Sequence, residues 1–286
     1  MEIDRDTLLR AMKERHAVRR YTDRPLAKDT VVQLEEEIAL CNAESGLHIQ
    51  LVTDEPQAFR GWHSYGTFHG VRNYLLMVGP KDSGLDERVG YYGERLVLLA
   101  QVLGLNTCWV GMSYRKMRDV FTLADGERVA CAIALGYGIT QGKPHKTKTV
   151  EQVSNASVWT PQWFREGVEA ALLAPSSVNQ QKYHFEYEKG EDGVERVRAE
   201  KGRLSLFGYL EMGVDDFDIG IVVGDEFSKF EGNLEHQIFL HALLSDGTGF
   251  VSSVTWVDYD GFHFSKLSFL RKSGGHSHQQ RKDKYG

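Results

Sequence analysis

Apolar residues recur at helical spacing in several stretches of the chain, with polar residues on the opposite face. In the first stretch, Leu8, Leu9 and Met12 share one face. The third stretch ends at Gly104, a residue type that commonly terminates helices. This periodicity predicts four main helices, over residues 6–14, 29–41, 91–103 and 163–173, and two short ones, over residues 117–121 and 236–244.

Other stretches alternate or are continuously apolar, which is typical of strands. Residues 74–79 are apolar throughout, as expected of a central strand that is covered on both faces. Residues 209–223 predict a helix followed by a strand, and residues 273–286 predict a disordered tail. Further strands are predicted within residues 104–112 and for residues 48–52, 129–134, 184–187, 194–197, 251–257 and 262–269, with turns at residues 42–46 and 190–193.

The composition is that of a globular protein, and it limits what the chain can do. Its 286 residues suffice for one large domain or two ordinary ones, and 41% of them are hydrophobic. A formal net charge of −6, without a strongly basic region, disfavours nucleic-acid binding. Local basic patches remain suited to a small anionic ligand.

Cysteine usage and the ends of the chain bear on its location. The three cysteines have no framework spacing, which indicates buried thiols in a reducing compartment. The N-terminus is charged from the second residue, unlike a secretion signal, and no apolar run is long enough to span a bilayer. The sequence therefore predicts a soluble, cytoplasmic protein.

The clearest candidate for ligand binding is the segment of residues 15–21, which follows the first helix. Arg15 and Arg19 are permanently charged planar donors with His16 between them, and guanidinium groups bind phosphate oxygens bidentately. The segment therefore suggests a phosphate site, while a solvated basic turn is the simpler interpretation.

A second candidate is residues 104–112, where small residues and glycine would let the backbone approach a planar ligand closely. An ordinary helix-to-strand connection that packs Trp109 in the core explains the same residues. The histidines within residues 61–70 lack the carboxylates or thiolates that accompany them in metal sites. No metal is predicted.

The order helix, polar turn and strand occurs twice, in residues 29–52 and again in residues 163–187. This repetition suggests an internal duplication. The periodicity lapses around residues 153–161, which we take as the boundary between two halves. The predicted units are a first half over residues 1–153, a second half over 161–232, an extension over 233–270 and a tail over 271–286.

Several segments, in the right order, resemble elements of the flavin-dependent nitroreductase family. Residues 15–19 resemble its N-terminal Arg-Arg/His-Ser-x-Arg/Lys element, with Ala17 in place of the serine. Residues 104–111 resemble its Gly-Leu-Gly-Thr-Cys-Trp-x-Gly element, and residues 174–180 its Ala-Pro-Ser-x-x-Asn-x-Gln segment. Two further similarities are the Ala-Leu-Gly-Tyr strand end at residues 134–137 and a basic C-terminal pair at Lys146 and Lys148.

This resemblance implies the α+β nitroreductase-like fold, a central mostly antiparallel sheet flanked by helices, here as two fused half-repeats. It implies FMN as cofactor, NAD(P)H as hydride donor, and a nitroaromatic, quinone or flavin acceptor reduced by ping-pong hydride transfer. It assigns no catalytic side chain, although backbone N–H groups near Val110 and Gly111 would stabilise charge on the reduced ring. The FMN-binding residues that it implies are Arg15, His16, Ala17, Arg19, Trp109, Val110, Gly111, Lys146, Lys148, Pro175, Ser176, Ser177 and Asn179.

The departures from the family pattern suggest one composite site in each chain. In ordinary members, a homodimer completes each site. Here the first half carries the arginine element but has no Pro-Ser-Ser after its second helix, where residues 41–46 stand instead. The second half has Pro-Ser-Ser but no arginine element before it. The chain therefore resembles internally duplicated nitroreductases, in which one polypeptide mimics the dimer and acts as a monomer or a homodimer.

Two other interpretations stay open. A flavin reductase, or another flavin-processing enzyme, would use the same fold and cofactor for a different task. A degenerate member of the family would bind flavin weakly or not at all and would serve as a binding or structural module. The loss of one of two ancestral sites is the reason to consider this last interpretation.

Overall fold

The computed structural model of the chain describes residues 3–60, 67–111, 113–176, 179–190 and 195–201, and five short strand segments after residue 236. Five helices lie within these residues: α1 Arg5–Glu14, α2 Lys28–Ser45, α3 Leu85–Val102, α4 Val150–Val153 and α5 Gln162–Ala171. The strands before residue 202 are β1 Gln50–Val52, β2 Asn73–Pro80, β3 Asn106–Val110, β4 Glu127–Gly136, β5 Tyr183–Lys189 and β6 Glu195–Lys201.

The first four strands form one antiparallel sheet in the order β1, β2, β4, β3. Strand β2 is central, as its continuous apolar run predicts, and all but its last residue are buried. Strand β3 lies at the edge, and its first residue, Asn106, is in register with Gly136 of β4. One edge of β3 is therefore open to segments other than strands of this sheet.

Alternate residues of the sheet enter two different hydrophobic clusters, because successive side chains of a strand point to opposite faces. Leu75 and Met77 pack with α1, α2 and α3 on one face. Tyr74 and Leu76 pack on the other face with Phe59 and other residues from the connecting loops. Each fully buried apolar side chain contributes about 1.5–3 kcal/mol, so these two layers supply most of the stability of this part of the chain.

The segment that follows α1 crosses the end of this sheet. Ala17 forms a parallel bridge with Thr107 of β3, and the Val18 N–H donates to the Thr107 carbonyl at 3.0 Å. Tyr21 forms an antiparallel bridge with Gly138, just after β4. The Tyr21 hydroxyl donates to the Val18 carbonyl at 2.6 Å, which fixes the curve of the segment. Residues 15–21 are thus a structured part of the sheet edge.

The second half has its own small core. Phe164 of α5 and Phe185 of β5 are almost fully buried and pack with Val150 and Val153 of α4. Strands β5 and β6 pair antiparallel, which confirms the predicted hairpin. Short α4 was not predicted, because its four residues are too few to show a periodicity, but its capping box at Thr149 is visible in the structure.

Two helix boundaries differ clearly from the predictions. The turn predicted for residues 42–46 is wrong, since α2 runs to Ser45 and ends at Gly46, whose φ of 69° is left-handed. Helix α3 starts six residues before its predicted start at residue 91, because Gly90 and Gly93 obscure an apolar face that begins at Leu85. Apart from the helix predicted for residues 117–121, the other predicted helices and strands before residue 202 are confirmed, with small shifts of their ends.

The short helix predicted for residues 117–121 is wrong. Only one turn forms there, in which the Val120 N–H donates to the Met117 carbonyl. Two residues after Val120, the Thr122 N–H donates to the side-chain oxygen of Gln50 in β1, and the Gln50 side-chain amide donates to the Thr122 carbonyl. These bonds hold the segment against the sheet and leave no room for a helix to continue.

After residue 236 the described segments are β7 Gln237–Ile238, β8 Phe250–Ser253, β9 Thr255–Asp258, β10 Gly261–His263 and β11 Leu267–Leu270. Strands β9 and β10 form an antiparallel pair, and β8 pairs with β11. Strand β7 stands where a helix was predicted, so that prediction is wrong at these two residues. The elements predicted for residues 209–223 and 273–286 lie outside the described residues, and the domain boundaries stay predictions.

Two further findings concern the whole described part of the chain. Cys41, Cys108 and Cys131 are all buried free thiols, as predicted. Within the described residues, every helix is too short or too polar to cross a lipid bilayer.

Glu87, in the first turn of α3, should make the stability of the protein depend on pH. Burial raises the pKa of its carboxyl group to about 7, against a lowering by Arg88. Because this pKa is higher in the folded protein than in the unfolded chain, the contribution of Glu87 to folding stability is complete below pH 4.5. It is lost as the pH rises through about 7. We expect Glu87→Gln to raise the melting temperature by a few degrees at pH 8 and to leave it unchanged at pH 4.

Thermal unfolding at the two pH values, followed by circular dichroism, checks this expectation. Glu36→Gln, at an exposed position of α2, serves as the control. An equal shift at both pH values would contradict the assignment.

Candidate functional site

Arg15 ends α1, and its side chain turns into the protein. Only 4% of Arg15 is exposed, and its Nε lies 3.5 Å from Oε1 of Glu94, which is 1% exposed. Nη2 of Arg15 donates to the carbonyl of Leu173 at 3.3 Å. The guanidinium group therefore joins α1 to α3 and also to the end of α5 in the second half.

Glu94 also binds the tryptophan of β3. The indole Nε1 of Trp109 donates to Oε2 of Glu94 at 3.0 Å. Gly93 makes this approach possible, since a Cβ atom there would lie 2.2 Å from Cη2 of Trp109. Burial raises the pKa of Glu94, although the charge of Arg15 and the hydrogen bond from Trp109 each lower it. Arg15, Glu94 and Trp109 form a buried polar network behind β3.

Residues 16–19 and the basic segment 143–148 carry the other charged or titratable side chains that were predicted as ligands. His16 is partly buried, and Arg19 and Lys146 are exposed. Burial lowers the pKa of His16, and the charges of Arg15 and His145 lower it further. Gly142 brings the two segments together, because a Cβ atom there would lie 2.7 Å from Cβ of His16, and its φ of 78° favours glycine. His16 and Ala17 therefore lie beside the start of the basic segment 143–148.

Gln181 fastens this basic segment to the turn that follows α5. Its side-chain Oε1 accepts from the Lys148 N–H at 2.9 Å, and its Nε2 donates to the Lys146 carbonyl at 2.8 Å. The Lys148 ammonium group donates in turn to the Gln181 carbonyl. Asn179 also donates to the Lys146 carbonyl, at 2.8 Å. The two halves are thus in direct contact at this place.

The backbone of the turn is in a conformation that is uncommon for residues other than glycine. Asn179 and Gln181 have φ values of 59° and 48°. Ser176 supports this shape, since its hydroxyl accepts from the Gln181 N–H at 3.0 Å and its carbonyl accepts from the Asn179 N–H at 2.9 Å. Such strained positions cluster at ligand sites, which makes the turn a candidate part of one.

The family described as "Putative TM nitroreductase" matches residues 7–225, well over half of the chain. The chain belongs to this nitroreductase family. The α+β fold predicted from the resemblance is confirmed. The internal duplication stays a prediction. No curated protein sequence matches the chain.

Solved structures of similar shape are nitroreductases at low sequence identity. A putative nitroreductase from Thermotoga maritima is 19% identical, with a TM-score of 0.49 over 68% of this chain and 76% of that chain. A nitroreductase family protein from Clostridium difficile is 18% identical, with a TM-score of 0.42 over 55% and 100%. A putative nitroreductase in complex with FMN from Desulfovibrio desulfuricans is 16% identical, with a TM-score of 0.42 over 54% and 96%.

The structure of this nitroreductase-family chain links several of the predicted FMN ligands in smaller groups. His16 and Ala17 lie beside Gly142, just before the basic segment, and Lys146 of that segment contacts Asn179. Pro175 and Ser176 belong to the same turn, where both are partly buried. Arg19 is exposed, and its role as a ligand stays a prediction. Ser177 lies outside the described residues.

Other predicted ligands already have partners within the protein. Arg15 is paired with Glu94 in the interior, and the ammonium group of Lys148 binds the Gln181 carbonyl. The indole of Trp109 packs toward α3, as the core interpretation of residues 104–112 expects. Val110 is buried in β3 and Gly111 is exposed just after it. Their roles as ligands stay predictions.

Sequence reasoning missed Glu94 and Gln181. Glu94 is a single acidic residue among the buried positions of α3, and a charge on an apolar helix face is a signal of a buried partner. Gln181 directly follows the segment compared with the family, but its contacts with residues 146–148 leave no local trace. Within the described residues, no three His, Cys, Asp or Glu side chains are close enough to hold a metal ion.

Proposed function

We propose that this chain binds FMN at a composite site and uses it as an NAD(P)H-dependent oxidoreductase of the nitroreductase type. The observation that carries the proposal is the contact between the basic segment of the first half and the turn of the second half through Gln181. This contact supports the proposal, because the resemblance implies that Lys146 and Lys148 bind the phosphate and that the turn covers the ring. It is the arrangement that a single site within one polypeptide requires.

The chemistry of the cationic residues fits a phosphate group. Arg19 and Lys146 are exposed, and neither has a carboxylate within ion-pair distance among the described residues. In a chain of net charge −6, each such unpaired cation leaves a local positive potential. Arg19 would bind phosphate oxygens bidentately, and Lys146 would add a point charge.

The isoalloxazine ring would lie against β3 and the turn. The outer edge of β3 is paired with the segment around Ala17 at Thr107, and Gly111 is exposed just after the strand, so the ring would approach the backbone at Gly111. Pro175 and Ser176 would cover the ring and exclude water from it. The bound flavin would supply the hydride chemistry, accepting from NAD(P)H and passing to a nitroaromatic, quinone or flavin acceptor. Arg15 and Glu94 would hold β3 and the turn in place from behind.

The first experiment is a measurement of flavin content. Purified protein should carry bound FMN, or take it up on addition, at one FMN per chain. Oxidation of NADPH and NADH with nitrofurazone, a quinone or free FMN as acceptor then separates a nitroreductase from a flavin reductase. Protein that is colourless after FMN has been added and the unbound FMN removed would overturn the proposal.

Arg19→Ala tests the phosphate end of the site. We expect FMN binding to weaken by about 1.5–3 kcal/mol, roughly 10- to 150-fold in Kd, because a charge-assisted hydrogen bond is lost. Riboflavin, which has no phosphate, should bind the variant and the unaltered protein equally well. Fluorescence titration with both flavins measures the effect.

The adjacent exposed Arg20 offers a matched control for this substitution. Arg20→Ala removes the same charge at the next position, where the backbone carbonyl accepts from the Ile139 N–H and does not depend on the side chain. FMN affinity should change by less than about threefold in this variant. Equal losses in both variants would show a general charge effect and contradict the placement of Arg19.

One observation favours the degenerate alternative. Arg15, the first residue of the arginine element, is committed to Glu94 in the interior. If Arg19 and Lys146 do not suffice for phosphate binding, the same surface would serve as an anion-binding or structural module. Absence of FMN binding, together with unchanged folding of the Arg19→Ala variant, would support this second candidate.

A further inference from the structure

The loop that follows β4 is fastened to the start of β3 by one buried side chain. Asn106 is 3% exposed. Its Oδ1 accepts from the Gly138 N–H at 3.0 Å, and its Nδ2 donates to Oε1 of Gln141 at 3.0 Å. Both the oxygen and the nitrogen of the side-chain amide therefore form hydrogen bonds with the loop of residues 138–142.

This loop determines where the basic segment begins. Gly142, its last residue, packs against His16 and against the carbonyl of Ala17. The cations of residues 143–148 follow directly. Asn106 thus acts on the basic segment at one end, while Gln181 fastens it at the other end.

We infer that Asn106 is a positioning residue for the phosphate end of the site, and that it sets the distance between the basic segment and Arg19. The inference rests on the proposed function. Asn106 corresponds to the second glycine of the family's Gly-Leu-Gly-Thr-Cys-Trp-x-Gly element. Glycine has no side chain that could make these two hydrogen bonds to the loop. Its amide reaches the loop because Asn106 and Gly136 are opposite each other in the β3–β4 ladder.

A purely structural role would be expected to involve the core, but the loop is mostly outside it. Ile139 is 57% exposed, and Thr140 and Gln141 are also exposed. No side chain of residues 138–142 belongs to the three hydrophobic clusters of the described residues. Loosening this loop should therefore move the cations more than it weakens the core.

The test compares FMN with riboflavin in the full chain. We expect Asn106→Ala to raise the Kd for FMN by about tenfold, because both hydrogen bonds to the loop are lost. The Kd for riboflavin should stay within about twofold, since riboflavin does not use the cations. Gln141→Ala removes only one of the two bonds and should raise the Kd for FMN by about threefold.

Hydrogen exchange gives a readout that does not depend on flavin. The amide of Gly138 should exchange at least about tenfold faster in Asn106→Ala than in the unaltered protein, while amides of β2 should keep their protection. Faster exchange throughout the sheet would show a structural role and overturn the inference. The same holds if both flavins lose affinity equally in this variant.

The outcomes separate this inference from the proposed function. If the unaltered protein binds neither flavin, the proposed function fails, and the role of Asn106 fails with it. If the unaltered protein binds FMN and Asn106→Ala keeps its full preference for FMN over riboflavin, only the role of Asn106 is overturned.

Discussion

Glu94→Ala is expected to lower the free energy of unfolding by about 3–5 kcal/mol, because it leaves the buried guanidinium group of Arg15 without its counter-charge. Arg15 is 4% exposed and its Nε lies 3.5 Å from the carboxylate, so water cannot replace the lost partner without a rearrangement of α1. The substitution also leaves the indole N–H of Trp109 without its acceptor. Domains of ordinary stability have only about 5–15 kcal/mol in total, so the variant should be close to unfolding.

Two further variants separate charge from packing in this network. Glu94→Gln keeps an acceptor for Trp109 and removes only the charge, so its loss should be smaller than that of Glu94→Ala. The double variant Arg15→Met with Glu94→Leu replaces the pair by apolar groups and should recover most of the stability. Urea unfolding of all three variants measures these differences. A double variant as unstable as Glu94→Ala would contradict the role assigned to the pair.

Gln181→Ala is expected to lower the free energy of unfolding by about 1–3 kcal/mol and to loosen the contact between the turn and the basic segment. The side chain is 3% exposed, and its loss leaves the Lys148 N–H without its acceptor. The Lys146 carbonyl loses one donor but keeps Asn179. If the site binds FMN as proposed, its release should also become at least about tenfold faster, because the turn opens locally.

The neighbouring glutamine supplies the matched control. Gln180 has a partly buried side chain that makes no hydrogen bond with the described residues. Gln180→Ala should change stability by less than about 0.5 kcal/mol. Chemical unfolding and the rate of FMN release, measured on both variants, test the difference. Equal effects at positions 180 and 181 would show that the turn is sensitive to any substitution and would contradict the specific role of Gln181.

The sequence predicts the elements of this fold well where their pattern is long and uninterrupted. Residues 74–79 are apolar throughout and form the centre of the sheet, and α1 and α5 start and end within two residues of their predicted limits. Helix α3 was predicted too short because glycines weaken helices in isolation. In this helix Gly93 serves a contact with Trp109 that is distant in sequence.

The candidate site could be predicted only as a set of segments. The resemblance names the segments that carry the predicted ligands, and the structure shows contacts between some of them, such as Lys146 with Asn179. The resemblance does not show that Arg15 turns inward to Glu94, because an ion pair between distant residues leaves no periodicity or motif. The contacts of Gln181 and Asn106 are hidden for the same reason, since each depends on how a loop returns to the sheet.

The contact between Arg15 and the Leu173 carbonyl has a consequence for the order of folding, since it joins residues 158 positions apart. A chain grown only as far as β4 contains the four strands of the sheet, the first three helices and the pair of Arg15 with Glu94. It does not yet contain the turn after α5. Domains begin to fold during synthesis from the N-terminal side, so the sheet should form first. The contacts of Arg15 and of the basic segment with the turn after α5 would then form late, after the ribosome has released the residues that follow α5.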